Sequence, residues 1–295
     1  MTKLCFAVLV HEKKEVVREM LANIRHFCPS SHIVLYNGGH DESLCEGLSY
    51  PVCPASHKLS YGKTTIYMLQ VMKWLHQMRL DYDYLINLDS DALFARKGFE
   101  DFIAEEMGHA DYMGVRVRVP EKEWYPGISI KREWAKWRPL FGTDPFLGCF
   151  NVGQIYSKRL VQRIIHFEQI QQVERNLAQT TAFGTDETVY VNLVKSLGFK
   201  PKRYPDDVSC SIRFRPHFTE AELKRFLANC PRTFLFHPIS REWSNPARSY
   251  IRSLVTGKRE DHPVAENISR KAPHPVKTGE GLKRGVKVIQ ISNRL

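Results

Sequence analysis

The sequence predicts an α/β fold whose central sheet is mostly parallel and is flanked by helices. Short apolar runs of strand length alternate along the first half of the chain with longer segments that carry apolar residues at helical spacing. This alternation is the pattern of parallel strands joined by helical crossovers. The composition is that of an ordinary globular protein, with 43% hydrophobic and 25% charged residues in a chain of 295.

The first five elements follow one another closely from the N-terminus. Strands are predicted at 3–10, 33–36 and 82–88, and helices at 12–26 and 63–77. The cluster Asn37-Gly38-Gly39 ends the second strand, because Asn and Gly favour turns. The sequence therefore places three strand ends, each followed by polar residues, in its first third.

The middle of the chain is less regular. We expect helices near 99–107, 158–175 and 187–197, and strands near 112–119, 149–156 and 233–236. Between them, the aromatic stretch 124–146 is interrupted by prolines and has little periodicity. Such a segment is typical of a long functional loop.

The C-terminal segment differs from the rest in composition. From residue 256 onward the chain contains nine Lys and Arg residues but only four Asp and Glu residues, and prolines interrupt any helix. We predict a loosely ordered basic tail at 256–295, with a final strand at 286–291. Peripheral contact of this tail with an anionic membrane surface is one expected role.

The net charge, the N-terminal apolar run and the cysteines limit the possible classes of protein further. The net charge of +11 is compatible with nucleic acid, an anionic surface or a phosphate-bearing substrate. The apolar run within residues 1–10 is too short for a signal peptide or a membrane span, and the seven cysteines include no Cys-x-x-Cys pair. We therefore expect a cytoplasmic protein with reduced thiols, possible peripheral contact with the inner face of the membrane, and no zinc.

Candidate ligand-binding residues lie at the strand ends, where ligands bind in open parallel sheets. These are His11, Asn37-Gly38 and the motif Asp89-Ser90-Asp91. Two carboxylates delivered by a buried strand into a turn can bind Mg²⁺ or Mn²⁺ that bridges a diphosphate. The structural alternative is an Asp-rich turn that caps the following helix.

A second pair of carboxylates precedes the predicted helix at 187–197. Glu187, or with less support Asp186, is a candidate general base that deprotonates an acceptor hydroxyl. Equally, Thr185 or Asp186 could cap this helix while Glu187 complements its dipole. Spacing alone leaves both interpretations open.

Basic and aromatic side chains complete the set of candidates. Lys63, Arg213 and Arg215 could neutralise a leaving diphosphate, although surface arginines and lysines are commonly solvated. His237 ends a short apolar strand, where a single histidine is more often structural than a ligand. The tryptophans of the predicted loop could stack on sugar rings or anchor the loop in the core: Trp124, Trp134 and Trp137.

Four segments together resemble the core-2/I-branching N-acetylglucosaminyltransferases, a family with the GT-A fold. They are 7–13, 84–88, 148–153 and 185–190, in the same order as in the family. The resemblance implies donor contacts at Val10 and His11, and acceptor contacts at Asn151 and Gly153. It also implies that Glu187 is the base of an inverting transfer.

The Asp-Ser-Asp motif departs from that family, which lacks a metal-binding Asp-x-Asp and uses basic side chains. Most other GT-A families carry the motif, often with a later histidine as a further ligand. This likeness implies Asp89, Asp91 and His237 as ligands of Mn²⁺ or Mg²⁺. By the same likeness we expect a catalytic domain at 1–255, with a donor half at 1–118 and an acceptor half at 119–255.

The expected activity is transfer of a sugar from a nucleoside-diphosphate donor, more specifically a UDP-sugar, to a hydroxyl of a glycan or other acceptor. The alternatives are a sugar-phosphate nucleotidyltransferase and a nucleic-acid-binding protein. The first usually has a Gly-rich, basic first loop, which residues 11–14 do not resemble. The second conflicts with the acidic Asp89-Ser90-Asp91 turn, so we expect no nucleic-acid partner.

Overall fold

The computed structural model describes residues 2–11, 13–142 and 146–257. The strands of this part of the chain are β1 (Leu4–Val10), β2 (His32–Asn37), β3 (Tyr84–Asp89), β4 (Leu93–Phe94), β5 (Tyr112–Arg118), β6 (Gly148–Ser157), β7 (Lys202–Arg203) and β8 (Leu235–Phe236). Tail residues 258–295, with the strand predicted at 286–291, lie outside the described ranges.

A six-stranded sheet of order β2-β1-β3-β6-β5-β7 forms the centre of the fold. β1 pairs in parallel with β2 and β3, and β5 pairs in parallel with β7. β6 runs antiparallel to both of its neighbours, β3 and β5. The predicted α/β class with a mostly parallel sheet is therefore confirmed. β4 and β8 form a separate antiparallel pair.

Helices cover both faces of this sheet. They are α1 (Lys14–Phe27), α2 (Ile66–Gln77), α3 (Phe99–Met107), α4 (Tyr125–Lys131), α5 (Trp134–Phe141), α6 (Lys158–Ile165), α7 (Ile170–Gln179), α8 (Val189–Ser196), α9 (Asp206–Ser209), α10 (Glu220–Asn229) and α11 (Pro246–Thr256). Alternate residues of β1 point to opposite faces. Phe6 and Val8 pack with α1, α3 and α11, whereas Ala7 and Leu9 pack with α2, α5 and α8.

The long loop predicted at 124–146 is wrong, because this stretch contains helices α4 and α5. Pro126 lies in the first turn of α4, where a missing amide hydrogen costs no hydrogen bond. α5 ends at Gly142, whose φ of 58° is left-handed and favours glycine. The prolines and glycines thus start and end short helices instead of preventing them.

The single helix predicted at 158–175 is also wrong, since α6 ends at Ile165 and α7 begins at Ile170. Both Ile164 and Val173 are buried in the same apolar cluster. Ile164 and Val173 are nine residues apart. In a continuous helix, which turns about 100° per residue, their side chains would therefore point to opposite faces. The chain bends between the two helices, and this bend allows both residues to reach one core.

Two C-terminal helices were not predicted, although local signals mark their starts. Thr219 and Glu222 form a capping box at the start of α10. The Asn245 side chain accepts hydrogen bonds from the amides of Ala247 and Arg248 at the start of α11. Among the described residues, no helix has both the length and the apolar character needed to cross a membrane.

Candidate functional site

The Asp-Ser-Asp motif forms a turn between two strands. β3 ends at Asp89, and β4 begins at Leu93 after a turn closed by a hydrogen bond from the Ala92 amide to the Asp89 carbonyl (2.9 Å). No helix starts at this turn, so the helix-capping interpretation is wrong. Asp91 and Ser90 are buried, whereas Asp89 is partly exposed.

Arg241 connects the two carboxylates of this turn. Its Nη2 lies 2.9 Å from Asp89 Oδ1 and 3.2 Å from Asp91 Oδ2. Its Nε donates to Ser90 Oγ at 3.1 Å, and His11 Nε2 lies 3.3 Å from Asp89 Oδ1. Burial alone would raise the pKa of Asp89, but Arg241 and His11 outweigh burial and hold this pKa well below its ordinary value.

His237 meets Asp91 because β8 pairs with β4. His237 follows β8, and the Ile239 amide donates to the Asp91 carbonyl at 2.8 Å. His237 Nδ1 lies 2.9 Å from the Arg213 carbonyl, which can only accept a hydrogen bond, and Nε2 on the other side of the ring faces Asp91 Oδ1 at 3.2 Å. This carboxylate oxygen is buried without a hydrogen-bond partner.

The chemistry of this pair fits a divalent cation that a substrate helps to bind. No group of three or more His, Cys, Asp or Glu side chains within the described ranges is arranged to hold a metal ion. Adjacent ligand atoms of an octahedral ion with bonds of about 2.1 Å lie about 3.0 Å apart. The separation of His237 Nε2 and Asp91 Oδ1, 3.2 Å, is close to this distance. Mg²⁺ commonly takes one or two carboxylates and completes its shell with phosphate and water.

The two aspartates and His237 line a cavity of about 330 Å³ at the carboxyl ends of β1 and β3. The turn after β2 forms another wall, and its chain passes so close to β1 that a Cβ on Gly39 would lie 3.0 Å from His11 Cα. Asn37 shapes this turn, since its Nδ2 donates to the Asp41 carbonyl (2.7 Å) and its Oδ1 accepts from the Gly39 amide (3.0 Å).

Asp186 and Glu187 lie in the short 3₁₀ turn Thr185–Glu187 before α8. The Asp186 carboxylate accepts a hydrogen bond from Thr64 Oγ1 at 2.8 Å. Neither Thr185 nor Asp186 caps α8, whose N-cap is Thr188, and the Thr188 side chain makes no capping hydrogen bond. The capping interpretation of this segment is therefore wrong.

Both carboxyl groups have altered acidity. Burial raises the pKa of Asp186 to about 6. Burial, followed by the neighbouring charge of Asp186, raises the pKa of Glu187 well above its ordinary value. Within residues 2–11, 13–142 and 146–257 the half-buried Glu187 carboxylate has no hydrogen bond, so it is available to a ligand.

Glu187 also lines a second, larger cavity of about 500 Å³. The two cavities share Phe150, Phe183, Glu187 and Phe214. One cavity is lined by the carboxylates, His237 and Arg241, while the other has an aromatic wall that includes Trp124 and Tyr125. Glu187 is therefore the carboxylate that contacts both spaces.

The other residues that we expected at the donor lie at different depths. Gly38 and Arg215 line the first cavity. Val10 is buried, and its carbonyl accepts from the Gly38 amide at 2.9 Å. Lys63 is exposed on the adjoining loop, outside the cavity wall. The Arg213 guanidinium binds both oxygens of Glu222 (2.9 and 3.1 Å). Arg213 therefore contacts the site through its backbone carbonyl, which lies at hydrogen-bond distance from His237 Nδ1.

The residues that we expected at the acceptor also lie in different places, some in a cavity wall and others in the core. Trp124 lines the second cavity and Asn151 the first. Gly153 has a φ of 80°, and its buried backbone accepts from Tyr204 at 2.8 Å. Trp134 packs against Phe146, and fully buried Trp137 stacks on Phe141. These two tryptophans have the core-anchoring role that was the alternative interpretation.

Sequence reasoning missed Arg241 and Arg248. Arg248 of α11 is fully buried; its Nε lies 2.6 Å from Glu19 Oε2, and its Nη1 donates to the Ser240 carbonyl at 3.0 Å. Its Nη2 reaches the Ser90 carbonyl at 3.5 Å. Arg248 thus connects the segment that carries Arg241 to the Asp-Ser-Asp turn. No local motif marks either arginine.

Several solved structures are similar to this chain. One is the galactosyltransferase LgtC in complex with donor and acceptor sugar analogues, at 11% identity over 87% of this chain and 96% of that chain, with a TM-score of 0.48. Another is a glycosyltransferase involved in glycosylation of the major capsid of PBCV-1, at 10% identity over 88% of this chain and 100% of that chain, with a TM-score of 0.46. No protein-family model and no curated protein sequence matches the chain. The resemblance to the core-2/I-branching family stays a prediction.

Proposed function

We propose that this protein is a glycosyltransferase of the GT-A type that uses a nucleoside-diphosphate sugar, more specifically a UDP-sugar. The acceptor is a hydroxyl of a glycan or another hydroxyl compound. The observation that carries this proposal is the position of Glu187. This carboxylate has a raised pKa, has no hydrogen bond in the described structure, and contacts both a carboxylate-lined and an aromatic cavity.

The first cavity is assigned to the donor. Asp91 and His237 would hold Mn²⁺ or Mg²⁺, with Asp89 beside them, and the ion would neutralise charge that develops on the diphosphate. Arg215 and Arg241 also line this cavity and supply fixed positive charge. Arg241 keeps Asp89 ionised, as a ligand for a cation must be.

The second cavity is assigned to the acceptor, whose sugar ring would lie against Trp124 and Tyr125. Glu187 accepts the hydroxyl proton while the acceptor oxygen bonds to the anomeric carbon of the donor. The bond from that carbon to the diphosphate oxygen breaks, and its electron pair leaves with the diphosphate. A base on the face opposite the leaving group implies inversion of configuration.

Asp186 has a supporting role in this mechanism. The Thr64 hydrogen bond holds its carboxylate in the wall of the donor cavity. Its negative charge is one of the causes that raise the pKa of Glu187. A base with a higher pKa accepts a proton more readily, so Asp186 strengthens Glu187 without contacting the acceptor.

Titration of UDP, GDP and TDP into the full-length protein tests the proposal. Each nucleotide is measured calorimetrically with Mn²⁺ and with EDTA. We expect UDP to bind in Mn²⁺ and to lose at least about tenfold in affinity in EDTA, as expected when a cation bridges protein and diphosphate. If none of the three nucleotides bound under either condition, the proposed function would be wrong.

The rate of transfer is expected to rise with pH across the titration of Asp186 and Glu187. Glu187 must be ionised to accept a proton, and its pKa is raised. Below the upper pKa of the pair, kcat/KM should fall about tenfold per pH unit. Initial rates from about pH 5 to about pH 9 measure this limb. A rate that stays flat over this range would remove the pair from the rate-determining step.

A further inference from the structure

The second cavity contains two arginines that the proposed transfer does not use. Arg116 and Arg118 line it together with Trp124, Phe150 and Glu187. Its volume of about 500 Å³ is within the range of small-ligand sites. Neutral sugar acceptors need aromatic faces and hydrogen-bonding groups but no fixed positive charge, so the arginines point to a more specific ligand.

The backbone of β5 is distorted where it carries these arginines. The register between β5 and β6 shifts between Met113 and Val115, and again between Val115 and Arg118. Arg116 has a φ of 57°, in the left-handed region that side chains other than glycine rarely adopt. Bulges of this kind redirect side chains and are common beside active sites. The distortion therefore lies at the segment that lines the cavity.

The two guanidinium groups are only weakly neutralised. The hydrogen bond of Arg116 goes to the neutral Ile212 carbonyl at 3.2 Å, and no carboxylate pairs with Arg116 within the described ranges. Arg118 lies 3.6 Å from Glu121, and both of these side chains are exposed. Exposed ion pairs of this type contribute little and are readily exchanged. Glu187 is the other charged residue of this cavity wall, so two guanidinium groups stand against one carboxylate and the wall carries a net positive charge.

We propose that the acceptor carries an anionic group, a carboxylate or a phosphate, that Arg116 and Arg118 bind while its sugar ring lies on the aromatic wall. This inference rests on the proposed function, because it assigns the ligand class of the acceptor cavity. The reacting hydroxyl then lies at Glu187 and the anion at the arginines, so the arginines orient the acceptor. Guanidinium groups suit this task because they bind carboxylate and phosphate through two hydrogen bonds.

Binding the anion would also affect the base. Burial and the charge of Asp186 raise the pKa of Glu187, and the positive charge of Arg118 opposes them in part. An acidic group that neutralises Arg118 removes this influence and makes Glu187 a stronger base. An acidic acceptor bound at Arg118 would thus also strengthen the base that deprotonates it.

Calorimetric titration with three matched glucosides tests the inference. The probes are para-nitrophenyl β-glucoside, the corresponding glucuronide, and the corresponding glucoside 6-phosphate. In the two acidic probes the charged group replaces or esterifies the same CH₂OH group of the sugar. We expect at least one acidic probe to bind the full-length protein about tenfold or more tighter than the neutral probe, the scale of a charge-assisted hydrogen bond. The tighter acidic probe identifies carboxylate or phosphate as the group.

Variants assign the preference to the arginines. Arg116→Gln should abolish the preference for the acidic probe, and Arg118→Gln should reduce it. Arg163→Gln removes one charge from the exposed surface of α6 and should leave the preference unchanged. Because Arg118 is exposed, its variant remains informative if Arg116→Gln does not fold.

The same preparations are titrated with UDP, so the two proposals fail separately. Intact UDP binding with equal affinity for acidic and neutral probes would overturn the anionic acceptor alone. Intact UDP binding with no binding of any probe, or a preference that survives both arginine variants, would do the same. Loss of nucleotide binding in the unmodified protein would overturn the proposed function itself.

Discussion

Substitution of Glu187 by Gln is expected to lower turnover by roughly 10²-fold or more, the scale of a lost general base. Gln keeps the size and shape of the side chain but cannot accept the proton of the acceptor hydroxyl. The cavity proposed for the donor keeps its Asp-Ser-Asp carboxylates and its arginines, so the affinity for UDP should change little. Turnover is measured as release of nucleoside diphosphate in the presence of acceptor, and affinity by calorimetry.

Stability provides the control for this variant. The pKa of Glu187 is raised in the folded chain above its ordinary value of 4.5, so above that pH the ionised carboxylate costs stability in the fold. Gln removes this cost, and we expect an unchanged or higher Tm. Glu105→Gln, on the exposed side of α3, should affect neither rate nor Tm. Full turnover by the Glu187 variant would exclude this residue as the base.

Substitution of Asp91 by Asn is expected to remove the part of UDP binding that depends on Mn²⁺, a loss of about 10²-fold. Asp91 is the carboxylate whose buried Oδ1 has no hydrogen bond and lies 3.2 Å from His237 Nε2. Asn keeps the volume but replaces one anionic oxygen by an amide nitrogen, which is not a ligand for Mn²⁺. The affinity measured in EDTA should be similar in both proteins.

The matched control is Asp101→Asn, which removes an exposed carboxylate on α3. It should bind UDP as the unmodified protein does. One further variant, Arg241→Gln, decides between a metal-dependent and an arginine-dependent donor site. If Asp91→Asn bound UDP normally in Mn²⁺ while Arg241→Gln lost affinity, the diphosphate would be bound by guanidinium groups and the cation would have no part in it.

The central strands could be predicted because local sequence determines them. The apolar runs of β1 and β3 are buried on both faces, which is typical of strands inside a parallel sheet. The Asp-Ser-Asp turn could be placed for the same reason, since it follows one of these runs directly. Periodicity also located α1 and α2 to within a few residues.

The rest of the site depends on contacts that leave no local signal. His237 meets Asp91 through the pairing of β8, which the sequence predicted at 233–236, with the two-residue strand β4, which was not predicted and is too short to show periodicity. Arg241 reaches the same turn from a segment without a motif. Trp124 lines a cavity while Trp137 is fully buried, and only the geometry of α4 and α5 separates the two.

The buried contact between Arg248 and Glu19 joins residues 229 positions apart in the chain. During synthesis Glu19 emerges long before its partner, so an N-terminal fragment that stops short of α11 would contain a carboxylate without the guanidinium that it needs for burial. The Ser90 carbonyl would lose its contact with Arg248 in the same fragment. The wall of the first cavity that contains the Asp-Ser-Asp turn is therefore fully supported only when α1 and α11, from the two ends of the described chain, are packed together.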